Sequence, residues 1–396
     1  MIQMETIDCD VRVVGGGISG SVCASVLDKL GVEDVRLLEK SKEIGESHSP
    51  KIDFAEDKGL KELMKKYDFP VLKETNVSRW FSPNGEMFEL ESKISDIWFK
   101  RGGSDSFESN VLEGSDVVVD NNTRAVSLSR GKVKAVNQKN DEKIEYNPEI
   151  IVDATGNFRP HFSSNKEEEI SREIYGRGYV LDKINVKNDI PHVFFDKDFF
   201  PGSYLYLVHD SDRDVGYLTY GTSENKRLDI EDLKGKKYLR EALSESEVKK
   251  EINGSVYIGN PSTLTEDNIL FAGDSANLMD PLLNYGSGNA LKSGIFAAEA
   301  IDEAGELDTV KDRYRRLVKN HIYPELGANM KFRKIFDSFN NRDINCIVEI
   351  SKRIDEHNDI EELAKNPLEF AYRLMGQIPS NPRLINIIFK SMGGMI

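Results

Sequence analysis

A glycine-rich turn between a β-strand and an α-helix is the feature that most constrains the fold of this chain. Residues 10–14 (DVRVV) are rich in β-branched valine, and the run Gly15–Gly20 (GGGISG) follows directly. Apolar residues then recur at helical spacing over 19–30, and a second short strand is predicted over 35–38. The sequence therefore predicts strand, turn, helix and strand in succession, with Gly-x-Gly-x-x-Gly spacing in the turn.

Each glycine of this spacing has a physical reason in a dinucleotide-binding turn. Gly15 permits the sharp turn, Gly17 lets the backbone approach a pyrophosphate, and Gly20 allows close packing of helix against strand. The first N–H groups of the helix, at Ile18 and Ser19, lack partners within the helix and favour an anion. These five residues are our candidate pyrophosphate contacts.

An acidic residue follows the turn at the distance that dinucleotide binding requires. Glu39 ends the second predicted strand, nineteen residues after Gly20, and its carboxylate can accept hydrogen bonds from both ribose hydroxyls. Lys40, beside it, is a further candidate contact. A glycine turn can also be a plain strand-to-helix connection, but its context and the acid in register favour dinucleotide binding.

The glycine turn does not distinguish FAD from NAD, but two later segments do. Asp153–Gly156 is a strand end that opens into a glycine turn, and residues 271–290 place Asp274 on a turn after another strand. That carboxylate can bind a ribityl hydroxyl, and the positive end of the helix that follows can stabilise a reduced flavin anion. We therefore predict FAD, with candidate contacts at Ala154, Gly156, Gly273, Asp274, Pro281, Gly286, Gly288 and Asn289.

The remaining segments predict a second layer and a helical end. Residues 160–255 carry aromatic-rich alternating runs separated by polar turns, which is typical of an antiparallel sheet. The predicted fold class is α/β, with a Rossmann-like FAD-binding domain, an antiparallel β-sheet substrate domain and a helical C-terminal region. The predicted bounds are 1–75, 100–160 and 255–307 for the first, 76–99 and 161–254 for the second, and 308–396 for the third.

Composition excludes several classes of protein. A net charge of −15, from 53 basic and 68 acidic residues, would repel nucleic acid. Only three cysteines occur, and we expect no disulfide framework, no membrane-spanning helix and a cytoplasmic setting. The six histidines show no metal-ligand spacing, so we expect no metal. The apolar segment 384–396 is expected to cap the substrate domain, with peripheral membrane contact as the alternative.

The segment 273–298 resembles the flavin-contacting segment of the geranylgeranyl reductase family, which has the glutathione-reductase-type FAD fold and is related to aromatic hydroxylases and flavin halogenases. Pro201–Val208 resembles that family's substrate-sheet motif, Pro-x-x-Tyr-x-Trp-x-Phe-Pro, with Tyr206 in place of the tryptophan. The resemblance implies a hydrophobic isoprenoid or lipid substrate. It also implies an external electron donor, either a ferredoxin-like protein or reduced nicotinamide.

Two segments depart from the family pattern. Ile44–Pro50 (IGESHSP) stands where archaeal reductases have Cys-Gly-Glu-Gly, so the role of that cysteine does not transfer. Its Gly-Glu-Ser-x-x-Pro pattern instead resembles the corresponding loop of flavin halogenases and related monooxygenases. The family's Arg-x-x-Phe-Asp segment, whose arginine faces the cofactor, survives only loosely, and the resemblance places Arg101 near the FAD.

Three residues are our candidates for catalysis. His48 lies in the loop after the strand that carries Glu39 and can donate a proton near neutral pH. The alternative for His48 is an exposed or merely hydrogen-bonded side chain. Tyr204 and Tyr206, with Phe199, Phe200 and Tyr220, can line an apolar channel for a prenyl chain, and the alternative is that these rings are ordinary sheet core.

The sequence leaves three functions open. The first is an FAD-dependent reductase that saturates C=C bonds of a geranylgeranyl or prenyl chain on a lipid. The second is a flavin monooxygenase or halogenase-like enzyme that uses O2. The third is a protein that holds FAD for electron transfer without an organic substrate of its own, which the degenerate substrate motif keeps open.

Overall fold

The computed structural model describes residues 5–46, 48–157, 170–259, 263–303 and 305–355. Within them the chain forms two compact units. The described residues of the first unit fall in Met1–Lys73, Ile97–Glu173 and Ser255–Gly327, and those of the second in Glu74–Asp96, Ile174–Gly254 and the segment from Ala328. The segment 384–396, for which a capping function was expected, lies outside the described residues.

Sixteen strands and nine helices are assigned in this part of the chain. The strands are β1 Glu5–Val14, β2 Val35–Leu38, β3 Lys51–Glu56, β4 Glu74–Phe81, β5 Met87–Arg101, β6 Val118–Asp120, β7 Thr123–Ser129, β8 Lys132–Asn137, β9 Lys143–Asp153, β10 Ile170–Asp182, β11 His192–Phe194, β12 Leu205–Asp210, β13 Val215–Thr222, β14 Glu247–Gly259, β15 Thr265–Glu266 and β16 Ile269–Phe271. The helices are α1 Ile18–Leu30, α2 Leu60–Lys66, α3 Phe107–Asn110, α4 Ile230–Lys234, α5 Arg240–Leu243, α6 Ser287–Glu303, α7 Leu307–His321, α8 Tyr323–Ser338 and α9 Asn341–Asp355, and Gly273–Ala276 forms a 3-10 turn.

The first unit is built on a sheet with the strand order β15-β16-β9-β1-β2-β6, which β8 and β7 extend by pairing with β9 and with each other. Strand β1 runs parallel to both β2 and β9. In this register Val14 lies opposite Leu38 on one side and Asp153 on the other. The carboxyl ends of three strands therefore meet at one edge, which is where open α/β sheets bind their ligands.

The second unit contains strands in the order β14-β10-β13-β12-β11-β4-β5. Strands β10, β13, β12 and β11 pair antiparallel as predicted, but β11 pairs with β4 in parallel. Along β12 the side chains alternate between two faces, because successive residues of a strand point in opposite directions. Leu205 and Leu207 belong to a buried apolar cluster on one face, together with Phe194, Phe200, Leu218 and Tyr220.

The predicted fold class is confirmed, since both sheets and the C-terminal helices are present. The predicted strand at 10–14 lies within β1, and the predicted helix at 19–30 is α1, which ends at Gly31 with a left-handed φ of 80°. Elements β3, α2 and β7 are among those that were not predicted. In β3 and α2 about half of the residues are charged, so few apolar positions remain to show a period.

His192 makes the stability of the second unit depend on pH. Its side chain is only 3% exposed, its Nδ1 lies 2.9 Å from the carbonyl oxygen of Ile190, and burial lowers its pKa to about 4. The unfolded chain binds a proton at His192 more readily than the folded chain does. The stability that the neutral imidazole contributes is therefore complete above pH 6.5 and is lost as pH falls toward 4. We expect the unfolding free energy to fall by up to about 3 kcal/mol over this window.

Urea unfolding at a series of pH values measures this dependence. In a His192→Asn variant the unfolding free energy should depend less on pH over this window, because asparagine does not titrate. If the unfolding free energies of wild type and variant change equally with pH, the dependence comes from another group.

Candidate functional site

The glycine turn is held by backbone contacts that leave no room for side chains at two positions. Gly15 has a φ of +107°, and its N–H donates to the carbonyl oxygen of Leu38 at 2.8 Å. A Cβ atom at Gly15 would lie 2.4 Å from the carbonyl oxygen of Ala154, and one at Gly20 only 1.8 Å from that of Gly15. The turn therefore requires glycine at both ends for packing within the protein itself.

Gly17, by contrast, has space around it. It is the N-cap of α1, with a φ of −77° and no side chain capping the helix. Among the described residues outside its immediate neighbours, only Cε1 of His48 lies within 4 Å of the position of a Cβ at Gly17, at 3.9 Å. Packing alone would accept alanine at Gly17, and an uncapped helix start with open space suits the diphosphate of a dinucleotide.

Glu39 is part of the turn as well as a candidate ribose ligand. Its side chain is almost fully buried, and its two carboxylate oxygens accept hydrogen bonds from the N–H groups of Gly16 and Ser41, each at 2.8 Å. Each oxygen has a second lone pair, so the carboxylate retains acceptor capacity. Lys40 is exposed, and its carbonyl oxygen accepts from Nε2 of Gln138 at 2.5 Å.

The segment after β16 is brought against the start of α1. Gly273 has a φ of +63°, and a Cβ there would lie 2.8 Å from Oγ of Ser19. The N–H of Gly273 donates to Oγ of Ser293 in α6 at 3.0 Å. The glycine turn and the predicted flavin segment, more than 250 residues apart in sequence, thus form one continuous site.

The start of α6 lies beside the carboxylate of Asp274. A Cβ at Gly286 would be 3.0 Å from Oδ1 of Asp274, and one at Gly288 would be 2.9 Å from Cβ of Ala55. Asn289 donates from Nδ2 to the carbonyl oxygen of Leu278 at 2.8 Å. This close packing keeps a carboxylate and the positive end of a helix side by side, which is the pair predicted for a ribityl chain and a flavin ring.

The other predicted cofactor residues lie at the same edge of the first unit. Oδ1 of Asp280 accepts from the N–H groups of Leu282 and Leu283, each at 2.8 Å, and shapes the loop that holds buried Pro281. Gly156 has a φ of +67° and follows the end of β9, where Ala154 contacts the glycine turn. These residues lie at the predicted cofactor edge.

Arg101 joins a buried cluster of charges. Its Nε donates to Oε1 of Glu108 at 2.6 Å and its Nη1 to Oδ2 of Asp53 at 3.1 Å. Lys51 pairs with Oδ1 of Asp53 at 2.7 Å, and Oγ of Ser287 donates to Oδ2 at 3.2 Å. Arg101 therefore joins β3 to α3, and this ion-pair function is separate from the cofactor contact that the resemblance implies.

The cluster shifts the pKa values of its members. Burial opposes the charge of Asp53, but Lys51 and Arg101 outweigh it and hold the pKa of this carboxyl below its usual value. Burial first, and then repulsion by Arg101 and Lys51, lowers the pKa of His48 well below 6.5. The lowered pKa disfavours the protonated form of His48, whereas the sequence suggested an ordinary pKa.

Tyr204 and Tyr206 belong to the second unit. Both are buried, and the ring of Tyr204 lies 5.8 Å from that of Phe195. Tyr206 pairs with Val193 and Thr219 in the neighbouring strands. By alternation along β12, Tyr206 faces away from Leu205 and Leu207 and so away from the apolar cluster.

The other three aromatic candidates lie in or against that cluster. Phe200 and Tyr220 belong to it, and Phe199 packs on it. The hydroxyl of Tyr220 accepts a hydrogen bond from the N–H of Leu228 at 2.7 Å. For these three rings the structure agrees with the alternative of ordinary sheet core.

Asp53, Glu108 and Ser287 were not identified from the sequence. Asp53 lies in an unpredicted strand, and its partner Arg101 is 48 positions away. The nearest local signal is Ser106, whose side chain accepts from the N–H of Ser109 and caps the helix that carries Glu108. The cap at Ser106 predicts the start of a helix, but it does not predict the buried ion pair between Arg101 and Glu108.

The described part of the chain contains neither a metal-binding cluster nor a candidate membrane-spanning helix. No group of three or more His, Cys, Asp or Glu side chains there is arranged to hold a metal ion. No helix among those residues has the length and apolar character needed to cross a membrane.

Comparisons with known proteins place this geometry among related folds. Residues 13–68 match a family described as an NAD(P)-binding Rossmann-like domain. The chain is 27% identical over 383 residues to digeranylgeranylglycerophospholipid reductase 2 of Methanopyrus kandleri, covering 88% of this chain and 92% of the relative. These two matches support the Rossmann-like unit and the family resemblance.

Solved structures share the fold at lower identity. A geranylgeranyl bacteriochlorophyll reductase-like protein from Thermoplasma acidophilum is 20% identical with a TM-score of 0.71, covering 88% of this chain and 92% of that chain. The p-nitrophenol 4-monooxygenase PnpA from Pseudomonas putida is 14% identical with a TM-score of 0.66, covering 92% and 98%. The flavin-dependent halogenase CmlS is 17% identical with a TM-score of 0.58, covering 86% and 66%.

The expected resemblance to geranylgeranyl reductases, with hydroxylases and halogenases as structural relatives, is confirmed by these comparisons. The curated relative is named as a reductase, and the solved structures show a shared fold.

Proposed function

We propose that this protein is an FAD-dependent reductase that saturates C=C bonds of a prenyl chain carried by a lipid. The observation that carries the proposal is the packing of Gly273 against Ser19 at the start of α1, with Asp274 beside the start of α6. This arrangement occurs in a chain that matches a digeranylgeranylglycerophospholipid reductase along 88% of its length. The proposal includes an FAD-binding domain at 1–75, 100–160 and 255–307, a substrate domain at 76–99 and 161–254, and a C-terminal region at 308–396.

The residues at the carboxyl edge of the first sheet fit FAD. The open start of α1 suits the diphosphate, Glu39 suits the ribose of the adenosine half, and Asp274 beside α6 suits the ribityl chain. The proposed cofactor-binding residues are Gly15, Gly17, Ile18, Ser19, Gly20, Glu39, Lys40, Arg101, Ala154, Gly156, Gly273, Asp274, Pro281, Gly286, Gly288 and Asn289.

FAD in this site supplies a ring that accepts and returns hydride. The N-terminus of α6, with Gly286 and Gly288 keeping it close-packed, stabilises negative charge at that end of the site. His48 supplies the proton to the substrate from its protonated imidazole. Tyr204 and Tyr206 orient the prenyl chain, and an external donor, a ferredoxin-like protein or reduced nicotinamide, supplies the electrons.

Product analysis with a substrate-face variant tests this proposal. Dithionite-reduced protein, mixed without oxygen with a geranylgeranyl lipid, should be reoxidised and return a product heavier by two hydrogens per bond. Tyr206→Ala should slow this reoxidation roughly tenfold or more while FAD content is unchanged, because only substrate positioning is lost. Flavin absorbance and product mass spectrometry are the measurements.

The matched control is Tyr179→Phe. It removes one hydroxyl that donates to the carbonyl oxygen of Leu228 in the apolar cluster of the second unit, on the other face of the sheet from Tyr206. Reoxidation by lipid should be unchanged in this variant. A wild-type protein that no prenyl lipid reoxidises, with Tyr206→Ala indistinguishable from it, would rule out the reductase.

One alternative function is supported by a specific segment. The Ile44–Pro50 loop resembles that of flavin halogenases, and CmlS shares the fold. An enzyme that uses O2 would give a hydroxylated or halogenated product when reduced protein meets air and substrate. The third possibility, an FAD-holding electron-transfer protein, predicts reoxidation by protein acceptors and by no lipid.

A further inference from the structure

One row of side chains, the Tyr206 row, crosses five strands of the sheet in the second unit. Val193 of β11 pairs with Trp80 of β4 and with Tyr206 of β12, and Thr219 of β13 pairs with Tyr206 and with Gly178 of β10. Residues paired across strands lie on the same face, so all five lie on the face opposite the apolar cluster. With strands about 4.8 Å apart, the row is about 19 Å long.

The Tyr206 row is covered less tightly than the opposite face. Val193, Tyr206 and Thr219 keep 8%, 5% and 9% of their surface exposed, whereas the residue that follows each of them in sequence is at most 1% exposed. Those following residues belong to the apolar cluster. A narrow strip of accessible surface therefore remains along the row, and its length suits an extended chain better than a compact ring system.

The two ends of the row differ in chemistry. At the β4 end, the ring of Phe195 lies 5.2 Å from the ring of Trp80 and 5.9 Å from the ring of Phe336 in α8. At the β10 end, Gly178 can carry no side chain, because a Cβ there would lie 2.0 Å from the carbonyl oxygen of Leu218. The row thus runs from an aromatic end to an end without side chains.

Thr219 places a hydroxyl next to the end without side chains. Its Oγ1 is buried and has no hydrogen-bond partner among the residues that the structure describes. On the other face of the same strand, the hydroxyl of Thr222 accepts from the N–H of Glu224 at 3.1 Å. A buried hydroxyl without a partner destabilises the free protein, and a ligand that supplies an acceptor removes this cost.

We propose that Thr219 recognises the oxygen on the first carbon of a prenyl chain that lies along the Tyr206 row. The inference deepens the proposed function and rests on it. The chain lies against the rings at the β4 end, and the head of the lipid passes over Gly178. The exposed part of Thr219 is not its Oγ1, so rotation about χ1 turns the hydroxyl to the ligand, where it donates a hydrogen bond to the oxygen.

Two matched probes test this recognition. Geranylgeranyl methyl ether and the hydrocarbon of the same chain without the oxygen are titrated into full-length FAD-loaded protein in one detergent, by calorimetry. Thr219→Val should bind the ether about three- to tenfold more weakly than wild type, because one neutral hydrogen bond is lost, and should bind the hydrocarbon equally well. Thr219→Ser keeps the hydroxyl and should bind the ether within about twofold of wild type.

A phosphate ester carries the same oxygen as an ether. Geranylgeranyl phosphate in the same assay distinguishes the two head groups by its affinity for wild type relative to the ether. It should also lose affinity in Thr219→Val, because the oxygen on the first carbon is common to both.

Urea unfolding provides a readout that a purely structural threonine would not give. In Thr219→Val a methyl group replaces the unpartnered hydroxyl, so the urea midpoint should equal or exceed that of wild type. The matched control is Thr222→Val on the other face of β13, which removes a hydroxyl that accepts a hydrogen bond. This control should have a lower midpoint and bind both probes as wild type does.

The outcomes separate this inference from the proposed function. Unchanged affinity of Thr219→Val for the ether, or an equal loss for ether and hydrocarbon, would overturn recognition of the oxygen while prenyl binding remains. A wild-type protein that binds neither probe and that no prenyl lipid reoxidises would instead overturn the proposed function.

Discussion

Gly20→Ala is expected to destabilise the first unit strongly. Its Cβ would lie 1.8 Å from the carbonyl oxygen of Gly15 and 3.1 Å from Cβ of Ala154, and neither atom belongs to a flexible side chain. Helix α1 would have to move away from β1, where the core of the first unit is completely buried. We expect a loss in unfolding free energy of about 3 kcal/mol or more, measured by urea unfolding.

Gly17→Ala, three residues earlier, is the matched control. Its methyl group has space in the protein and the backbone there has a negative φ, so the urea midpoint should stay unchanged. FAD affinity should nevertheless fall about tenfold or more, because the methyl group occupies the position of the diphosphate. Equal stability losses in the two variants would contradict the packing argument, and full FAD affinity in Gly17→Ala would contradict the placement of the diphosphate.

Arg101→Met is expected to have the second large effect on stability. It removes Arg101 from both Glu108 and Asp53, which lie in buried surroundings, and Asp53 keeps Lys51 and Ser287 as partners. Removing one partner from a buried ion pair costs about 3–5 kcal/mol, because the remaining charge is not compensated. Urea unfolding at neutral pH measures this loss.

The loss should shrink in acid. In wild type the pKa of Asp53 is lowered, so its stabilising contribution is present above the unfolded value near 3.8 and is lost as pH falls through the folded value. Without Arg101 the pKa of Asp53 rises and the carboxyl protonates earlier. The difference between the unfolding free energies of wild type and Arg101→Met should therefore narrow below about pH 4.

A surface arginine provides the control for Arg101. Arg315 pairs with Asp312 on an exposed face of α7, and exposed pairs contribute about 0–1 kcal/mol. Arg315→Met should therefore change the unfolding free energy by less than about 1 kcal/mol. A comparable loss in the two variants would mean that burial does not strengthen the Arg101 cluster.

Local chemistry made the glycine turn predictable. Gly15, Gly17 and Gly20 lie within six residues, and the steric reason for each acts over one turn of chain, so spacing alone was informative. The strand before the turn, the helix after it and the acid at Glu39 follow from periodicity over short windows. Only the structure shows which of these glycines could accept a side chain. At Gly20 the backbone of Gly15 excludes one, whereas Gly17 faces open space.

The alternation of side chains along β12 was also predictable from the sequence, but which of its two faces packs in the apolar core was not. Tyr206 and Leu207 are adjacent in sequence, and period-two alternation puts them on opposite faces. Which face is the apolar core depends on Phe194 and Tyr220 in the paired strands, and on residues that pack from outside the sheet. The sequence therefore placed Tyr220 and Tyr206 in the same predicted channel, whereas the strand register puts them on opposite faces of the sheet.

The sequence by itself determined the turn, the acid that follows it and the alternation of layers, because these depend on neighbours a few residues away. The tertiary structure decided the charged cluster, since Asp53, Arg101 and Glu108 come from separate elements that meet only in the folded unit. It also decided the direction in which the pKa of His48 shifts. A pKa depends on burial and on charges in space, and burial and Arg101, which lies far along the chain at the end of β5, are the two largest causes of the lowered pKa.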